Sequence, residues 1–136
     1  MKWAQSLIRI SNFEVEELQK RLAEIVERRS NIEIKLAVLE AEAESELQQA
    51  QATADAGFYM AGFREGVKIR RAALNAQLAV IGTEEEGARD ALSEAFEALK
   101  KYEHVAESAK VVARKEEARR ETAALDELGL RRAIRH

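Results

Sequence analysis

Residues able to do acid–base or metal chemistry are few in this chain and poorly placed for it. The two histidines are His104 and His136, and the sequence contains no Cys. They lack the paired-histidine spacing of a zinc protease helix, and without thiolates they cannot complete a conventional structural zinc site. The acidic triplet Glu84–Glu86 lacks the oxygen-rich turning loop that Ca²⁺ requires. We therefore expect no catalytic residue, no metal site and no cofactor.

An aromatic cluster is the most distinctive local feature. Phe58, Tyr59 and Phe63 are three of the six Phe and Tyr residues, and Met60 lies among them. They follow a break in the apolar pattern, where two nearby glycines indicate a hinge over residues 54–61. Two interpretations stay open. The aromatic side chains fold back and plug the end of a helical hairpin, or they form an exposed adhesive surface for a partner.

A long coiled-coil seam precedes this hinge. Alternating steps of three and four residues from Ile8 to Ala50 reach 13 positions, of which ten are apolar. A repeat sustained over this many heptads is typical of a coiled coil and not of an ordinary surface helix. The pattern predicts a first helix over residues 3–53.

A second seam follows the hinge. It runs from Leu74 to Ala109, and ten of its eleven positions are apolar. The segment Gly82–Gly87 has glycines at both ends and could form a second turn, which would give a three-helix bundle. The seam keeps its phase through this segment, so we favour one helix over residues 62–128, followed by a basic tail over 129–136.

Two polar residues occupy seam positions and predict the register. Arg29 and Glu85 lie equally far from a hinge centred near residue 57, and so should meet across the hairpin. Polar seam residues of this kind oppose slipped pairings. The same arithmetic places Glu46 opposite Lys68.

Composition narrows the fold class and the kinds of partner. The 136 residues include no Pro and only six Gly, and 35% are charged, which is typical of long helices and not of β-sandwiches. We expect an all-α chain, a long antiparallel two-helix coiled coil with a C-terminal helical overhang beyond about residue 113. Residues 110–136 carry eight basic and five acidic side chains, net +3, on a chain of net charge −3. An acidic shaft argues against nucleic-acid binding.

The two ends of the chain resemble a known family. The start KWAQSLIRISNFEVEELQKRLAEI, residues 2–25, and the run ARKEEARRETAALDELGLRR, residues 113–132, are similar to the opening and closing segments of the flagellar export protein family FliJ. The second run contains an LDEL element at Leu125–Leu128. The resemblance implies a non-enzymatic component of the flagellar type III export apparatus, folded like the coiled-coil stalk of rotary ATPases.

The resemblance also implies partners. These are the hexameric export ATPase, the cytoplasmic domain of the export gate, and export chaperones, with the gate contact made by aromatic and apolar residues along the shaft. It implies a cytoplasmic protein with a peripheral contact at the cytoplasmic side of the membrane. The candidate partner-binding residues combine the two ends with the hinge aromatics: Trp3, Leu7, Phe58, Tyr59, Phe63, Arg119, Arg120, Arg131 and Arg132.

Two rival hypotheses remain at this point. One is a structural or adaptor coiled coil that self-associates into a four-helix bundle and has no role in secretion. The other is a membrane-surface protein that uses three C-terminal arginines beside Leu130 and Ile134.

Overall fold

The computed structural model describes residues 2–51 and 56–135, and within them it contains two long helices and no strand. Helix α1 spans Lys2–Ala50, and α2 spans Ala56–Arg135. The helices pack against each other in antiparallel orientation, so that residue 29 meets residue 85. The expected all-α fold, an antiparallel two-helix coiled coil, is confirmed.

Helix α2 is longer at both ends than its pattern predicts. It begins at Ala56 and not at residue 62, so residues 56–61 of the expected hinge are helical, whereas residues 54 and 55 lie outside the described part. It also continues through Gly129 to Arg135, where we expected a separate tail. None of the described glycines has a positive φ, so Gly129 does not adopt the left-handed conformation that would end a helix.

The alternative turn at residues 82–87 is absent, because α2 passes through it without a break. A Cβ added at Gly82 or Gly87 would meet nothing within 4 Å. Neither packing nor backbone conformation therefore requires glycine here. The continuous seam on the opposite side of the helix outweighs the roughly 1 kcal/mol of helix propensity that each glycine costs.

The chain divides into two compact units. The first, which we call the hinge unit, comprises Glu16–Ser93, and the second, the terminal unit, comprises residues up to Val15 together with those from Glu94 onward. The core of the hinge unit consists of two apolar clusters contributed by both helices. One contains Ile25, Ile32, Ile81 and Ala88, and the other contains Leu39, Ala43 and Val67.

The second seam extends further towards the hinge than the sequence pattern indicated. Met60 and Val67 are buried and Arg71 is half-buried, at the three- and four-residue steps that precede Leu74. Because Val67 occupies the seam, its neighbour Lys68 points into solvent. Glu46 is half-buried and Lys68 is exposed, and no ion pair joins them within the described chain, so the placement of Glu46 opposite Lys68 stays a prediction.

In the terminal unit, pairing ends before α2 does. Ala4, Ser11 and Val15 are buried on α1, as are Ala95 and Leu99 on α2. Ala4 and Gln5 line one small depression together with residues 106–113 of α2, which places the beginning of α1 beside that part of α2. Every described residue from 111 to 135 is exposed. This segment is the expected helical overhang.

Candidate functional site

A charged pair lies within the apolar seam of the hinge unit. Arg29 Nη1 donates to Glu85 Oε1 over 2.7 Å and also to Oε2. Glu85 is only 8% exposed and is the one buried charged residue in the described chain. Arg89 Nη2 lies 3.3 Å from the same carboxylate. The two polar seam residues thus sit where their distances from the hinge predict, and two guanidinium groups compensate the buried carboxylate.

Two further ion pairs join the helices, one beside this contact and one nearer the hinge. Arg28 Nη2 donates to Glu84 Oε2 over 2.6 Å, and Arg71 holds Glu40 through two bonds of 2.5 and 3.0 Å. The hydrogen bond from Arg71 lowers the pKa of the Glu40 carboxyl, while the carboxylate raises the pKa of Arg71. The sequence pattern predicted neither pair, although stepping back along the seam from Leu74 reaches Arg71.

The hinge aromatics divide between the two interpretations. Met60 is buried, and Phe63 is half-buried against the cluster of Leu39, Ala43 and Val67, as a plug would be. The other two aromatic side chains face solvent, Phe58 with 97% and Tyr59 with 63% of its surface exposed. Tyr59 stacks on Phe63 with a centroid distance of 6.2 Å. Met60 and Phe63 therefore fit the plug interpretation, whereas Phe58 and Tyr59 fit the exposed-surface interpretation.

An apolar groove, which sequence analysis did not identify, runs along one side of the hinge unit. Two adjoining depressions that share Lys35 form it. Its floor is mostly apolar and comes from both helices: Ile34, Val38, Ala73, Ala76 and Val80. Ile34, Val38 and Val80 are 60%, 50% and 61% exposed. These apolar residues lie between the seam positions, and this was the sequence feature that could have indicated the groove. Exposed apolar residues grouped in this way are typical of surfaces that bind partners.

The remaining sequence-derived candidates all lie in the terminal unit. On α1, Trp3 is exposed and Leu7 is half-buried. Arg119, Arg120, Arg131 and Arg132 are exposed on the overhang, as are four large apolar residues, Leu125, Leu128, Leu130 and Ile134. Within the overhang the ion pairs are local, for example Arg131 with Glu127 at 3.1 Å. The overhang therefore offers basic and apolar side chains that the described chain does not cover.

Among residues 2–51 and 56–135, no group of three or more His, Asp or Glu residues is placed to hold a metal ion. No described helix contains a stretch apolar enough to cross a membrane.

The different burial of Phe63 and Phe58 predicts different effects of the same substitution on stability. Phe63→Ser should lower the free energy of unfolding by about 1–3 kcal/mol, because a half-buried ring leaves the core. Phe58→Ser should change it by less than about 0.5 kcal/mol, because that ring faces solvent. Urea denaturation followed by circular dichroism measures both, and equal effects would contradict the assignment of Phe63 as the plug.

The seam ion pair predicts non-additive stability. Glu85→Ala should destabilise the chain by about 1–3 kcal/mol, because Arg29 then stays half-buried without its main partner. Replacing both residues by Leu should restore or exceed the original stability, since apolar side chains suit the seam. Arg28→Ala breaks an exposed pair and serves as the control, with a loss below about 1 kcal/mol. A double variant less stable than Glu85→Ala would refute this account.

The comparisons with known proteins agree on one family. The family model described as "Flagellar FliJ protein" matches residues 2–136. The Flagellar FliJ proteins of Caulobacter vibrioides strains NA1000 and ATCC 19089 are each 60% identical over 132 residues, covering 97% of this chain and 95% of the relative. No solved structure matches the chain. This coiled-coil hairpin therefore belongs to the flagellar FliJ protein family.

Proposed function

We propose that this chain is a non-catalytic coiled-coil component of the flagellar type III export apparatus, which associates with the export ATPase ring through its terminal unit. Family membership supports the role in flagellar export. One observation carries the assignment of the surface: α2 continues to Arg135, and from residue 111 onward its side chains are exposed. An extended helix of this length is marginal alone in water and gains stability from a partner.

The charge of the overhang indicates the partner's chemistry. Residues 110–136 have a net charge of +3. A positive field of this kind steers association towards an acidic surface, such as an acidic lining of the ring pore. The exposed rings of Trp3 and the side chains of Leu125 and Leu128 supply apolar anchors in the same unit. Together they fit a channel that is acidic at its entrance and partly apolar inside.

The groove of the hinge unit fits the second contact, with the export gate. The family resemblance implies that aromatic and apolar residues along the shaft make this contact. Ile34, Val38 and Val80 are the large exposed apolar residues that line the groove. They present the apolar surface that such a contact requires, with charged residues at its rim.

Export chaperones and location complete the proposal. Phe58 and Tyr59 form a separate exposed aromatic surface for chaperones. The chain works in the cytoplasm, at the cytoplasmic side of the membrane where the gate lies. Contact with lipid through Leu130 and Ile134 is the competing function, and flotation with liposomes distinguishes it from ring binding.

The overhang assignment predicts a separable loss of ATPase binding. Truncation after Ala113, or Arg131→Glu with Arg132→Glu in the full chain, should weaken binding to the purified ATPase ring at least tenfold at moderate salt, because the positive field is removed or reversed. The exposed pair Lys100→Glu with Lys101→Glu is the matched control and should bind normally. Undiminished binding after truncation would place the contact on another surface.

The groove assignment predicts a loss confined to the gate. Val80→Glu should weaken binding to the gate's cytoplasmic domain at least tenfold, because it buries a carboxylate in an apolar interface. Ring binding and helicity should stay unchanged. Ala79→Glu adds the same charge to the adjacent exposed position outside the groove, and serves as the control. Equal effects of the two substitutions on gate binding would refute the assignment.

A further inference from the structure

The rim of the groove carries a regular pattern of charge. On α1, Arg28 and Glu42 line opposite ends of the groove, and on α2, Glu84 and Arg70 do the same. Each pair is separated by 14 residues, two heptads or ~21 Å along a helix. Arg28 lies beside Glu84, at 2.6 Å, and Glu42 lines the same depression as Arg70. Each end of the groove thus has a basic residue on one helix and an acidic residue on the other.

This pattern is complementary to itself. If two grooves meet face to face about a two-fold axis parallel to the helices, α1 of each chain lies on α2 of the other. Arg28 of one copy then faces Glu84 of the second copy, and Glu42 faces Arg70 of the second copy. At the middle of the groove, Lys35 faces Gln77. This arrangement places no like charges opposite each other at the rim, and by symmetry it forms every contact twice.

The sizes of the floor residues match in the same arrangement. Two large side chains, Ile34 and Val38, belong to α1, whereas α2 supplies two small ones, Ala73 and Ala76, and the larger Val80 nearer one end. With α1 on α2 of the second copy, Ile34 and Val38 pack against the two alanines, as in interdigitated helix layers. The alternative two-fold arrangement, with the axis across the helices, would bring Lys35 of the two copies together. It would also set large side chains against large ones.

We propose that the groove binds a second copy of this chain, giving a symmetric four-helix dimer in which α1 packs on α2 of the other copy. The groove is about two heptads long, which is short for a stable interface, so the dimer forms at high protein concentration and dissociates on dilution. One consequence rests on the proposed function: since the gate is assigned to the same groove, the dimer and the gate complex exclude each other. At concentrations where the dimer forms, the second copy covers the apolar groove until a partner replaces it.

Sedimentation equilibrium of the full chain from about 5 to about 500 µM tests the proposal through mass action. The mean mass should rise from monomer towards dimer across this range. Arg70→Glu should weaken dimerisation about tenfold, because it sets a carboxylate against Glu42 in both symmetry-related contacts at that end of the groove. Glu42→Arg should do the same. Lys68→Glu, two residues from Arg70 and outside the groove, is the control and should dimerise normally.

Mixing the variants tests the arrangement. Arg70→Glu and Glu42→Arg should dimerise with each other about as well as the unsubstituted chain, because each new charge then faces its opposite. Arg70→Glu mixed with Glu84→Arg should not recover, since only the axis across the helices would pair those two positions. Recovery in the second mixture alone would overturn the arrangement, and a chain that stays monomeric at every concentration would overturn self-association. Since no partner is present, either result leaves the gate contact to be judged by its own binding assay.

Discussion

Burial of one apolar seam between two helices is the interaction on which the whole structure depends. A two-helix layer has no second layer to cover it, so each helix buries a single stripe and exposes the rest. The cores are accordingly built from medium and small side chains such as Ile25, Leu39 and Ala88. Large apolar residues outside the stripe, including Ile34 and Val80, are more than half exposed. The same constraint that holds the hairpin together thus leaves apolar side chains on its surface.

The polar residues within the seam have a different role from the apolar ones. An uninterrupted heptad repeat stabilises pairings shifted by seven residues nearly as well as the native one. The ion pair between Arg29 and Glu85 opposes such a shift, because a slipped register leaves a charge in the seam without its partner. Arg71, at a seam position, pairs with the exposed Glu40 at a second level of the hinge unit. The ion pairs give up some stability that Leu side chains would supply, and in return select one register.

The two units expose surfaces of different chemistry. The groove of the hinge unit is apolar with a charged rim, whereas the overhang of the terminal unit is basic and exposed along its length. These two surfaces differ in chemistry, in a chain whose family is a component of the flagellar export apparatus. A thin coiled coil can present both because most of each helix faces solvent.

The amino-acid sequence by itself determined the helical class, the two seams, the antiparallel register and the overhang. The helices, the seams and the overhang follow from the apolar periodicity, which is a local property of the chain. The register follows from counting the distance of Arg29 and Glu85 from the hinge. Only the tertiary structure decided where α2 begins, that Phe63 packs half-buried against the core while Phe58 is exposed, and that Arg71 pairs with Glu40. It also revealed the groove, since Val38 and Ala73 become neighbours only when two helices lie side by side. Periodicity identifies the buried face of a helix, but the surfaces beside that face depend on how the two helices are rotated against each other.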